Sequence, residues 1–222
     1  MARPARHEGQ VLVLGLGRFG RAIALTLQEL GYEVLAIDVD GRAVQELAGR
    51  LTHVVEADTT NLEALRQLGA ADFERAVVAI GTDIEASILT TGALVDLGIP
   101  KIWAKAVTAA HGKILERVGA NRVVLPEHEM GERVAHLVTG RMLDYMELDE
   151  GFALVKTKAP AELVGRTLAE AEVRQRYQIT VVCIKPAGGS YTFATQDTKV
   201  GEGDILVVAG QPSYAEGFAE LT

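Results

Sequence analysis

The segment Gly15-Leu16-Gly17-Arg18-Phe19-Gly20 limits the fold more than any other stretch of this chain. It follows directly on the apolar run at residues 11–14 and opens a helix-like stretch reaching Leu30, so it marks a strand-to-helix junction. Each glycine has a separate task there. Gly15 permits the tight turn, Gly17 lets backbone approach a phosphate, and Gly20 lets helix and strand pack closely, while the helix N-terminus stabilises the anion. A second element stands about twenty residues on. There Asp38 ends the next apolar run, where its carboxylate can accept hydrogen bonds from ribose hydroxyls. Loop and acid together predict a nucleotide- or dinucleotide-binding α/β half. The charge of Asp38 disfavours a 2′-phosphate, so NAD or an adenine nucleotide such as ATP or ADP suits the site better than NADP. The motif leaves NAD(H) and ATP/ADP both open.

Apolar runs recur at residues 11–14, 34–37, 53–57, 76–80, 102–106 and 122–125, each followed by a helix-like stretch. That rhythm predicts a Rossmann-like, doubly wound parallel sheet with crossover helices, its strands apolar at successive positions because helices cover both faces. Thr60 with Glu63 and Thr82 with Glu85 have capping-box spacing, and Gly31, Gly69 and Gly98 supply helix stops. A long crossover helix is expected over residues 127–147, with Met130, Val134, Leu137, Val138 and Met142 at helical spacing. From Asp149 the pattern becomes that of a small α+β lobe. It has an extended stretch at 152–157, a helix opened by Thr167 and Glu170, and strand-like runs at 179–184, 191–194 and 205–209. The expected organisation is a flexible N-terminus at 1–10, a nucleotide-binding domain with crossover helix at 11–147 and a C-terminal domain at 148–222.

Composition narrows the function. A chain of 222 residues, 48% hydrophobic, can build a core in each of two domains. A formal charge of -8 repels phosphate backbones, so nucleic acid is not an expected partner. Cys183, the single cysteine, lies in an apolar run and reads as a buried strand residue in a reducing, cytosolic compartment. No secretory signal is visible, and the apolar runs fall short of the roughly 20 residues of a spanning helix, so any membrane role goes through a partner. The three serines, Ser87, Ser190 and Ser213, lie outside any G-x-S-x-G elbow, and the histidines show no metal-binding spacing, so no catalytic residue is assigned.

Further residues stand where ligands gather at the carboxyl ends of the strands. Two roles fit Asp58 equally, in Glu56-Ala57-Asp58-Thr59-Thr60: a hydrogen bond to an adenine amino group, or a helix cap. Arg18 can reach a terminal phosphate or stay solvated, and Lys105 can face the ligand or be a rim charge.

On Val13-Leu14-Gly15-Leu16-Gly17-Arg18-Phe19-Gly20, Val34-Leu35-Ala36-Ile37-Asp38, Val78-Ala79-Ile80-Gly81, Ile102-Trp103-Ala104-Lys105 and Leu125-Pro126-Glu127, the chain resembles the bacterial regulators of potassium conductance, the RCK proteins. Among them it is most similar to the Ktr potassium-uptake type. Gly203-Asp204-Ile205-Leu206-Val207-Val208-Ala209-Gly210 resembles their C-terminal lobe. The resemblance implies a non-enzymatic regulatory subunit, peripheral to the inner face of the cell membrane, forming an octameric ring of dimers under a channel subunit of the KtrB or TrkH type. ATP would activate and ADP inactivate. It places phosphates at Gly15, Gly17 and Gly20, ribose at Asp38, the adenine side at Asp58, the terminal phosphate at Arg18, and Phe19, Thr59, Ile80, Gly81 and Lys105 around the ligand. It also implies Mg²⁺ or another cation near Glu127, and cyclic di-AMP in the C-terminal lobe at Arg174, Ile179, Thr180, Ile184, Lys185 and Pro186. The chain departs from the family pattern in carrying Gln178 where glycine is usual, and Ile179 and Ile184 fit ordinary strand packing as well. The alternative function is an NAD-dependent oxidoreductase or an NAD-sensing Trk-type regulator.

Overall fold

The computed structural model describes residues 9–138, 140–149 and 151–222, so the segment expected to be flexible at 1–10 falls almost wholly outside the described residues. The chain forms two compact units, meeting between Glu127 and His128.

In the first unit six parallel strands alternate with helices. They are β1 (Gln10–Leu14), α1 (Arg18–Glu29), β2 (Glu33–Asp38), α2 (Gly41–Leu47), β3 (His53–Glu56), α3 (Leu62–Gln67), β4 (Arg75–Val78), α4 (Ile84–Asp96), β5 (Lys101–Lys105), α5 (Ala109–Val118) and β6 (Arg122–Val124). The strand order is β3-β2-β1-β4-β5-β6. Consecutive side chains of a strand point to opposite faces, and β1 shows why its run is apolar throughout. Val11 and Val13 join one core with Ala24, Val34 and Leu47. Leu12 and Leu14 join the other with Leu65, Leu94, Ile102 and Leu115. Two-sided burial weakens toward β5, where Ile102 and Ala104 are buried but Trp103 is 45% exposed with the Arg122 guanidinium over its ring.

Helix starts differ from the capping-box expectation by one residue. Asn61 caps α3 and Asp83 caps α4, each accepting from backbone N–H groups two or three residues on, in place of Thr60 and Thr82. Asn and Asp carry a short acceptor that suits this position at least as well as threonine.

The second unit contains most of α6 (Pro126–Val138), then β7 (Asp144–Asp149), β8 (Phe152–Lys158), α7 (Val173–Tyr177), β9 (Ile179–Lys185), β10 (Thr192–Phe193), β11 (Ile205–Gly210) and α8 (Pro212–Ala219). Its antiparallel sheet has the order β10-β9-β11-β8-β7 over a core of Val155, Leu163, Ile179, Leu206, Val208 and Phe218. The helix expected to reach residue 147 stops at Val138. Gly140 takes a left-handed φ of 75°, and residues 144–149 pair as β7 with β8. Met142, which continues the helical spacing, is instead buried in the lobe core. Cross-strand pairing overrides local periodicity here.

Thr167 and Glu170 do exchange the two capping-box hydrogen bonds, yet the turn they close is not helical and α7 begins only at Val173. Between β9 and β11 the register skips Val182, so Val181 and Ile184 both face the core despite their odd spacing. That bulge leaves Cys183 half-buried, where its place in an apolar run suggests full burial.

Candidate functional site

All six strands of the first unit are parallel, so their carboxyl ends share one edge of the sheet, and the order reverses between β1 and β4. Such a switch point is where an open α/β sheet leaves a crevice for ligands. The glycine loop follows β1 on one side of it, and Ile80 and Gly81 follow β4 on the other.

Gly15 has a φ of 94°, and a Cβ there would stand 3.0 Å from the Ile80 side chain and 3.1 Å from the Ala79 carbonyl carbon. Only glycine fits both the left-handed backbone and that approach. Gly20 is still more confined, since a Cβ there would fall 1.8 Å from the Gly15 carbonyl oxygen. Gly17 is the reverse case, exposed and with nothing within 4 Å of the position a Cβ would take. It is the N-cap of the twelve-residue α1 and offers no side chain to satisfy the first helical N–H groups. The chain therefore packs Gly15 and Gly20 tightly and leaves Gly17 open, which fits a phosphate group at the start of α1.

Asp38 holds the other wall. Its Oδ2 accepts from the backbone N–H of Leu16 inside the loop, and its Oδ1 accepts from Asp40 N at 2.8 Å. A carboxylate has about four lone-pair positions, so ribose hydroxyls can still be accepted. Asp58 stands exposed after β3, its Oδ1 accepting from the backbone N–H and hydroxyl of Thr60 at 2.9 and 2.7 Å. These hydrogen bonds, the hydroxyl's first, hold its carboxyl below the usual carboxylate range. Thr60, expected from its spacing to Glu63 to cap a helix, instead partners Asp58, whose side chain accepts from the backbone two residues on as an Asx turn does. Thr59 turns its hydroxyl inward to Thr90, 2.9 Å away in the interior, so this side chain serves packing at the site's edge.

On the far side Lys105 Nζ lies 2.6 Å from Glu127 Oε1 and 5.7 Å from the centroid of the Phe19 ring. A Cβ at Gly81 would come within 3.1 Å of the same ammonium. The hydrogen bond from Lys105 is the foremost reason that Glu127 is held below the usual carboxylate range, and Arg18 adds a smaller electrostatic contribution. Residues that follow β1, β4 and β6 thus meet around the ammonium at the end of β5, which the linear order of the chain does not display.

Glu127 is paired with Lys105, and among the described residues no group of three or more His, Cys, Asp or Glu converges to hold a metal ion. A hard cation such as Mg²⁺ needs only one or two carboxylates when phosphate oxygens and water supply the rest. Glu127 fits that pattern and no all-protein site does.

In the second unit Arg174, Ile179 and Thr180 line a groove of about 410 Å³, together with Val173, Ala194 and Gln196. The Arg174 guanidinium donates to the Thr180 hydroxyl through Nε and Nη2 at 3.2 and 3.1 Å. Ile184, Lys185 and Pro186 are not among the lining residues. Ile184 is packed into the core, and the Lys185 ammonium lies 5.7 Å from the Tyr191 ring. Gln178 takes a φ of 55°, so the backbone at this position is the left-handed one that suits glycine.

A doubly wound sheet with this loop, this acid and a small antiparallel lobe defines an α/β protein with a nucleotide-binding type of site. Residues 11–126 match the TrkA-N domain and residues 152–222 the TrkA-C domain. The chain is 41% identical over 207 residues to the Ktr system potassium uptake protein C of Bacillus subtilis, a match covering 93% of this chain and 94% of that protein. It is 38% identical over 210 residues to the Ktr system potassium uptake protein A of the same organism, covering 94% and 95%. The fold resembles that of the GsuK RCK domain, with a TM-score of 0.66 and 20% identity, covering 99% of this chain and 48% of that one. The protein belongs to the TrkA-N/TrkA-C family of potassium-uptake proteins. No helix among the described residues is long and apolar enough to cross a membrane.

Proposed function

We propose that this protein is the cytosolic, nucleotide-sensing regulatory subunit of a Ktr-type potassium-uptake system and that it acts without catalysis. The observation that carries this reading is the convergence of an open Gly17, an Asp38 hydrogen-bonded into the glycine loop and the cations Arg18 and Lys105 at one sheet edge. It occurs in a chain that aligns over more than nine tenths of its length with Ktr system potassium uptake proteins, 93% and 94% of it in the two matches. Two cations suit a polyphosphate, so ATP is the activating ligand, with Mg²⁺ held between Glu127 and phosphate oxygens, and ADP is the inactivating one. A ligand can shift a conformational equilibrium only by its differential affinity for the two states, and here the difference is the terminal phosphate. The subunits form an octameric ring on the inner side of the membrane, against a channel subunit of the KtrB or TrkH type. The groove at Arg174, Ile179 and Thr180 takes cyclic di-AMP as a second, inactivating ligand. NAD(H) is the competing reading for the first site, because Asp38 serves a dinucleotide ribose equally well and a fold relative, the GsuK channel, is described bound to NAD.

The test is potassium flux in liposomes carrying the channel subunit and this protein. ATP should raise flux, ADP should lower it, and Asp38→Ala should remove both responses. Flux that follows NADH and ignores ATP would replace the adenine-nucleotide reading with the redox one.

A further inference from the structure

The Lys105–Glu127 pair is unequal. The lysine side chain is 12% exposed and the glutamate side chain 66%. The ammonium is therefore the fixed member, seated against Gly81 and near the Phe19 ring, and the carboxylate is the member free to leave. Glu127 is also the second residue of α6, the helix whose residues from His128 on belong to the second unit. Phe19 lies in the first turn of α1, just after the glycine loop, and Gly81 in the segment after β4, on the two sides of the switch point, so the ammonium borders the space assigned to phosphate.

We propose that Lys105 is a shared cation for which Glu127 and the terminal phosphate of a nucleoside triphosphate compete. The inference rests on the reading of this cleft as a nucleotide site. Two anions drawn to one partly buried ammonium repel each other, so the phosphate gains Lys105 as Glu127 gives it up. The first turn of α6 then loses its tie to β5, and the released carboxylate becomes available to a divalent cation. A nucleotide too short to reach Lys105 leaves the pair closed. The ammonium thereby converts phosphate occupancy into freedom of the α6 N-terminus.

Competition and simple bridging predict opposite signs. Were Lys105 to hold both anions at once, removing the carboxylate would leave triphosphate affinity unchanged or weaker. Under competition, Glu127→Gln tightens ATP binding in EDTA by about fivefold or more, the size of coupling seen between contacting charged groups. The same substitution in the Lys105→Met background changes ATP affinity by less than about twofold, because the shared partner is gone. Calorimetry on the full chain with ATP gives the four affinities, and Lys105→Gln replaces Lys105→Met if the latter fails to fold. Hydrogen exchange adds a readout outside affinity. ATP should speed exchange at residues 127–131 of the wild type, and in Glu127→Gln that exchange should be fast before ATP is added. An equal gain in both backgrounds, no gain, or an α6 N-terminus that ignores bound ATP overturns the proposal while leaving the nucleotide site intact. Failure of the wild type to bind ATP at all removes the site and the proposal with it.

Discussion

Gly17 and Gly20 belong to one loop, and adding a single methyl group at each should have opposite consequences. At Gly20 the new Cβ would lie 1.8 Å from the Gly15 carbonyl oxygen and 2.9 Å from the Ala79 Cβ, the first of them backbone in a tight turn. Relief requires α1 to move away from the loop by about 1 Å or more in a close-packed core. Overpacking of this kind costs about 1–3 kcal/mol, against which the better helix propensity of alanine returns about 1 kcal/mol. Because the clash is with backbone, Gly20→Ala should fall near the upper end, at about 2 kcal/mol net, lowering the melting midpoint of the first unit by about 5–10 °C. Nucleotide binding should fall with it, since the loop geometry is lost. At Gly17 the backbone has an ordinary φ of -62° and a Cβ would meet nothing within 4 Å. Gly17→Ala should therefore leave stability within about 0.5 kcal/mol of the wild type while weakening nucleotide binding by about tenfold or more, because the methyl group occupies the phosphate's approach. Urea unfolding and calorimetry on both variants read the two effects separately. A Gly20→Ala protein as stable as the wild type, or a Gly17→Ala protein with full affinity, would refute the assignment of roles within the loop.

Three further outcomes follow from particular contacts. Thr59 and Thr90 share a buried hydroxyl contact, so either Thr→Val change alone should cost about 1–2 kcal/mol by orphaning its partner, and the double change should cost less than the sum in urea titrations. His111 is 2% exposed, its Nδ1 accepts from Val107 N at 3.4 Å and its Nε2 has no hydrogen-bond partner. Burial lowers its pKa from the ordinary 6.5, so the unfolded chain takes up a proton first. The neutral ring's contribution is whole above that value and is lost as pH falls below it, with a slope of up to about 1.4 kcal/mol per pH unit. Unfolding midpoints at pH 7.5 and 5.5 should thus differ less in His111→Leu than in the wild type. Gln178→Gly should stabilise the second unit by about 0.5–1 kcal/mol, read as a higher unfolding midpoint, because it relieves a left-handed backbone.

The glycine loop, Asp38 and the six strand positions were legible in the linear chain because each rests on local chemistry: a turn that only glycine makes, and apolar runs that two-sided burial requires. The helix stops at Gly31, Gly69 and Gly98 were legible for the same reason, each glycine adopting a positive φ. What was not legible depends on pairing across distance. The helical spacing that ends at Met142 carried the expected helix on to residue 147, and only the partner strand β8 makes residues 144–149 into β7. The split of the cyclic di-AMP candidates has a like cause. Ile184 is drawn into the core by a bulge at Val182 that no local signal announces, while Arg174 and Thr180 meet because α7 folds back on β9. In the nucleotide cleft Lys105 and Glu127 were each placed at a strand end, but their 2.6 Å contact needs the register of β5 against β6.

Whether the cleft senses adenine nucleotides is decided by equilibrium binding of ATP, ADP and NADH to the wild type and to Asp38→Ala, by calorimetry with and without Mg²⁺. Tight ATP and ADP binding without turnover is expected, with a response to Mg²⁺ confined to ATP and loss of both nucleotides in Asp38→Ala. Selective NADH binding, or adenine-nucleotide affinity indifferent to Asp38, would contradict it.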